Sequence, residues 1–133
     1  MIMNKIKWKG YTLKPLTKKE YNKLKFVSSH LVGHTNVMYG DLIDMFGEPT
    51  LGLSGDGKCQ MEWVFIITDK DGNKERFYLY DWQTYDLGYT KTELSRWNIG
   101  GNSDPKILQE YIKVHKNYHW LNKNVKSNII WKN

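Results

Sequence analysis

The sequence predicts an α+β fold: an antiparallel sheet of three to five strands with two or three helices packed on it. Three observations carry this. A capping box at Thr17–Glu20 opens an amphipathic segment. A long alternating run from Cys59 to Thr68 returns through an Asp-Gly turn. Gly100-Gly101 leads into an Asp-Pro helix start. Helices, then a meander of strands, then a helix is the order of an α+β domain with its helices on one sheet face.

The elements follow in order. Ile6–Leu13 sets Ile6, Trp8, Tyr11 and Leu13 around Gly10 and reads as a short strand or two strand fragments. In Thr17-Lys18-Lys19-Glu20 the Thr and Glu side chains satisfy each other's free backbone donors, and Leu16 and Tyr21 stand where a hydrophobic staple belongs. Tyr21, Leu24, Val27 and Leu31 make one apolar stripe, so this first helix is expected to end near Ser29–Gly33. A second helix is expected over Val37–Phe46, stopped by Gly47 and Pro49. After a glycine-rich loop at 50–58, Cys59, Met61, Trp63, Phe65 and Ile67 share one strand face. Gln60, Glu62, Val64, Ile66 and Thr68 share the other, whose apolar middle predicts a central strand covered on both sides.

Asp69–Asn73 is a hairpin loop and Lys74–Trp82 the return strand. Gln83–Thr92 reads as a connection with the character of a lid, and Glu93–Ile99 as a third strand. Gly100–Ser103 turns into a helix with Asp104 as N-cap and Pro105 at its first position, Ile107, Leu108, Tyr111 and Ile112 facing inward. The tail beyond His115 keeps Tyr118, Trp120 and Trp131, which predict that it docks. The chain is thus read as one domain: a helical extension at 1–36, a core at 37–115 and a tail at 116–133.

The 133 residues are 40% apolar, enough for one core, and the 6 Trp and 9 Tyr leave aromatic surface over for a partner or ligand. The net charge of +6 favours anionic targets and argues against a mimic of DNA. The single Cys59 permits no internal disulfide, and no stretch approaches the ~20 apolar residues of a membrane span. These features predict a cytoplasmic protein with no membrane partner.

Several motifs bear on chemistry. Gly52–Lys58 has P-loop spacing, but Cys59 stands where the magnesium-binding Ser or Thr belongs, and a strand rather than a helix follows. A loop that brings Lys58 to an anion is the reading left. Asp69–Asn73 lacks the length and terminal Glu of a calcium loop. The pairs His30/His34 and His115/His119 have four-residue spacing, yet no carboxylate or cysteine completes a zinc set, and neither metal nor cofactor is expected. Cys59 reads as a small core residue. Glu48, Glu62 and Asp81 offer carboxylates for acid–base work, but their spacing selects no reaction, and no catalytic residue is assigned. The stretch Arg96–Asp104 is the most suggestive: backbone donors at its helix start could cradle an anion, Arg96 could pair with phosphate, and Trp82 or Trp97 could stack on a base. The candidate ligand-binding residues are therefore Lys58, Trp82, Arg96, Trp97, Gly100, Gly101, Asn102 and Ser103.

Phe46-Gly47-Glu48-Pro49, Gly55-Asp56-Gly57-Lys58, Glu62-Trp63, Tyr80-Asp81-Trp82 and Trp97-Asn98-Ile99-Gly100-Gly101 occur in that order. This pattern, over residues 37–112, resembles a group of small, functionally unassigned bacteriophage proteins. The resemblance brings no active site; it implies a phage accessory protein acting on the host, including its immune systems. The leading expectation is a non-catalytic protein that counters host defence, by binding a host immune protein or by sequestering a cyclic or oligonucleotide signal. A nucleic-acid-binding module and a small nucleotide- or protein-modifying enzyme are the alternatives, and a homo-oligomer is compatible with each.

Overall fold

The computed structural model describes residues 5–52 and 58–116. Its strands are β1 (Ile6–Trp8), β2 (Tyr11–Pro15), β3 (His30–Asn36), β4 (Glu62–Thr68), β5 (Lys74–Tyr80) and β6 (Arg96–Gly101). Its helices are α1 (Lys18–Asn22), α2 (Tyr39–Phe46), α3 (Leu87–Thr92) and α4 (106–116). The strands form one antiparallel sheet in the order β1-β2-β4-β5-β6-β3. The class is α+β as expected, but with six strands and four helices rather than three to five and two or three.

β4 is central, and its alternation holds from Met61 onward. Trp63, Phe65 and Ile67 point to one face with Phe77, Leu79, Trp97 and Ile99, where α2 adds Leu42 and Phe46 and α4 adds Leu108, Tyr111 and Ile112. This is the main core. Both buried indoles find acceptors: Trp63 Nε1 donates to Gly47 O and Trp97 Nε1 to Val37 O, each at 3.0 Å. On the second face a smaller buried cluster of Leu16, Val64 and Tyr78 has Tyr21, Ile66 and Tyr80 packed against it.

Local signals set several boundaries. Lys9 and Gly10 both take positive φ, the geometry of a tight hairpin turn, so the opening segment is two strands. The capping box forms, Thr17 N to Glu20 Oε1 at 2.9 Å and Glu20 N to Thr17 Oγ1 at 3.1 Å. Asp104 Oδ1 accepts from Lys106 N at 3.0 Å, starting α4 as its sequence predicts. In the 69–73 loop, Asp69 Oδ1 accepts from the backbone of Asp71 and Asn73, and Gly72 takes φ +88°.

Four expectations are corrected. α1 stops at Asn22: Val27 and Ser28–His30 are weak helix formers, and the chain that follows pairs as β3 with β6 instead. The 1–36 segment is therefore not a helical extension; it supplies β1, β2 and β3 to the sheet. The 83–92 connection contains α3, capped by Asp86, whose Oδ1 accepts from Tyr89 N. The third strand begins at Arg96 and runs through Gly101, so the diglycine is strand, not turn. The tail aromatics Tyr118, Trp120 and Trp131 lie outside the described residues.

Candidate functional site

The second sheet face carries the site. Register places Glu62 opposite Tyr80, Tyr80 opposite Asn98 and Asn98 opposite His34, so these four residues form one row across four strands. The next rows hold Val64, Tyr78 and Gly100, then Ile66 and Arg76. Residues 24–29 cross this face as a strap between α1 and β3. Arg76 Nη1 donates to Lys25 O at 3.1 Å and to the Tyr78 hydroxyl at 3.2 Å, and Asn102 Nδ2 donates to Ser28 O at 2.7 Å. Gly100 lies beneath the end of the strap, where a Cβ would make ordinary contacts with Tyr80, Ser29 and His30.

Between strap and sheet lie two adjoining cavities that share Val27 and Tyr78. The first, of about 410 Å³, is walled by Tyr21, His30, Glu62, Tyr80 and Trp82, with Cys59 at its side. The second, of about 340 Å³, is lined by Ile66, Lys74, Glu75, Arg76 and Asn102. Each has the size of a small-ligand cleft. Trp82 meets Tyr80 edge to face at 6.3 Å, and Lys58 Nζ stands 5.4 Å from the Trp82 ring. The strap adds exposed apolar side chains to the rim, Phe26 above all at 89% exposure.

Glu62 is the chemically distinctive group. Its carboxyl makes no hydrogen bond or ion pair among the described residues. Burial pushes it from its ordinary 4.5 up to about 7, and the nearby Asp81 charge adds to the rise. Burial likewise raises the Tyr21 and Tyr80 phenols, and the Glu62 charge contributes to both. Asp81 itself faces away from the groove. It is 1% exposed and accepts from Gln60 N (2.8 Å), Met61 N (3.1 Å), Thr84 Oγ1 (3.1 Å) and Thr90 Oγ1 (2.7 Å).

The eight candidate residues separate. Lys58 and Trp82 meet at the groove, and Asn102 lines its second cavity. Gly100 lies beneath the strap. Trp97 is wholly buried on the helix-covered face and cannot stack on a ligand. Gly101 is packed against Phe77, where an added Cβ would lie 2.9 Å from Cδ1, so it serves close packing and cradles nothing. Arg96 is exposed at the opposite end of β6, paired with Asn36. Ser103 lies beyond β6, lining hollows with Asp104.

Cys59 is half-buried beside the groove instead of in the core, because β4 starts only at Glu62 and the alternation does not reach back to it. The pair His30/His34 sits on β3, not on a helix, and a register shift between Leu31 and Gly33 breaks its spacing. His115 is packed in an aromatic cluster, stacked 3.9 Å from Tyr111 and edge-on to Trp8. Among the described residues no group of three His, Cys, Asp or Glu could hold a metal ion, and no helix is long and apolar enough to cross a membrane.

Tyr21, Tyr78, Tyr80 and the role of Glu62 were not picked out from the sequence. The available signal was a carboxylate leading into an apolar strand face, paired with two tyrosines at i, i+2 on the return strand. No family model, curated protein or solved structure matches the chain. The groove is therefore interpreted from its own chemistry.

Proposed function

We propose that this chain is a non-catalytic binding protein that takes an anionic nucleotide into the second-face groove. One observation supports the reading most directly: a cavity with an aromatic wall of Tyr21, Tyr80 and Trp82 adjoins a second one where Lys74 and Arg76 stand beside Glu75. Aromatic faces stack on a base and cationic side chains hold phosphate, while the net charge of +6 draws anions in. With the resemblance to bacteriophage proteins, the use would be to sequester a nucleotide signal of host defence. A host immune protein as target is the competing form of this reading, and exposed Phe26, Leu31, Tyr85 and Tyr89 are the side chains it would use.

The experiment is a thermal-shift and tryptophan-fluorescence screen against mono-, cyclic di- and oligonucleotides, with recovered ligand checked by chromatography. A bound nucleotide at a hundredfold excess over its Kd stabilises by about 2.7 kcal/mol, a rise of several degrees in Tm. Trp82→Ala should weaken that response, and the ligand should come back intact. No shift with any nucleotide would end the reading. A chemically altered ligand would replace it with the enzyme alternative, for which Glu62 and His30 share a cavity.

A further inference from the structure

We infer that Glu62 selects a guanine-type base, one that presents two adjacent N–H donors to the carboxylate at the aromatic end of the groove. This rests on the nucleotide reading of the groove and names the base that reading leaves open.

No protein donor among the described residues reaches the Glu62 carboxyl. Asp81, only 19 residues along the chain, takes four donors from protein groups, whereas the Glu62 carboxyl takes none among the described residues. An ionised carboxylate is acceptor-only, and this one lines an open cavity, so its donors come from water or from a ligand held there. Among the described residues no cation pairs with it: Arg76, four residues down the sheet, donates to Lys25 O and the Tyr78 hydroxyl, and Lys58 stands over the Trp82 ring. The cavity Glu62 lines is walled by aromatic side chains, Tyr80 directly across the strand pair and Tyr21 from α1. A planar ligand stacked on such a wall turns its edge toward the carboxylate. Guanine offers an N1–H and an N2–H side by side, which a carboxylate accepts in parallel. Adenine offers one donor beside an acceptor, and the acceptor would repel an ionised Glu62.

The strands also set the reach. From the Glu62–Tyr80 pair to the Ile66–Arg76 pair is four residues along the sheet, about 13 Å at the usual strand rise. A purine nucleotide laid along the groove with its base at Glu62 directs its phosphates toward Lys74 and Arg76.

The test is calorimetric titration of the full chain with guanosine, inosine and adenosine 5′-diphosphates at pH 8. Inosine lacks only the N2 amine, so it tests the contact without altering the protein. Guanosine diphosphate should bind at least tenfold more tightly than the other two, a discrimination typical of a bidentate base contact. Glu62→Gln, which replaces one acceptor by a donor, should collapse the guanosine-to-adenosine ratio toward one. Equal affinities for the three ligands in the native chain would overturn the guanine assignment while leaving the nucleotide reading standing. Failure of all three to bind, together with a blank nucleotide screen, would overturn both.

Discussion

Glu62 opens β4 and Asp81 follows the end of β5, and the two carboxylates have opposite fates. Asp81 is satisfied by four donors, whereas Glu62 lines an open cavity among aromatic side chains. The consequence for stability has a definite sign. In the unfolded chain Glu62 titrates near 4.5, and in the folded protein near 7. Between those values the folded state holds the extra proton, so stability falls as pH rises through the window and stays reduced above it. Glu62→Gln removes this penalty: at pH 8 the variant should melt higher than the native chain by roughly 3–6 °C, and near pH 4 the two should coincide. Scanning calorimetry at both pH values checks it; equal Tm differences at pH 4 and pH 8 would contradict the assignment. Gly101 makes a different point at the same scale. Its φ is unexceptional, and glycine is required there because Phe77 Cδ1 and Arg76 O leave no room for a methyl group. Gly101→Ala should destabilise by about 1–3 kcal/mol in urea unfolding, the usual cost of overpacking.

Among elements, the link that positions the mouth of the groove is the Asp81 cluster. It ties the approach to β4 (Gln60 and Met61) to the end of β5 and, through Thr84 and Thr90, to α3. Gln83 N donates to Lys58 O, which joins the backbone segments that carry Trp82 and Lys58. Asp81→Ala would leave buried backbone donors and hydroxyls without an acceptor. It should cost at least ~3 kcal/mol in urea unfolding and weaken the ligand response of Trp82 fluorescence. In β6 composition and structure part ways. A glycine pair before an Asp-Pro step has the composition of a turn, yet both glycines sit in the sheet, one beneath the strap and one against Phe77. Close approach and backbone freedom ask for the same residue, so composition alone does not separate them.

For the whole molecule, the two sheet faces are unequally covered. Helices α2 and α4 seal one face over Trp63, Phe65, Leu79 and Trp97, while among the described residues the other has α1 and the strap across it. Local stability should follow that asymmetry. Hydrogen exchange followed by mass spectrometry should find the slowest amides in β4 and β5, which lie inside the sheet and over the main core, and fast exchange in 24–29, which is held by two side-chain bonds. Protection of the strap equal to that of β4 would contradict it.

What the sequence determined by itself was the local and periodic part. The capping box, the alternation from Met61 to Thr68, the 69–73 turn and the Asp-Pro start of α4 are all encoded within a few residues, where the energies of caps, turns and face burial act. Tertiary structure decided the rest. Whether residues 23–36 continued a helix or crossed the sheet and paired with β6 depended on a partner some 65 residues away, and a short apolar stripe could not outweigh that pairing. The same pairing laid the strap over Glu62, Tyr78 and Tyr80 and made a groove from residues that no spacing in the sequence joins. Contacts between distant segments, rather than any local motif, therefore decided which tryptophan is core and which is wall.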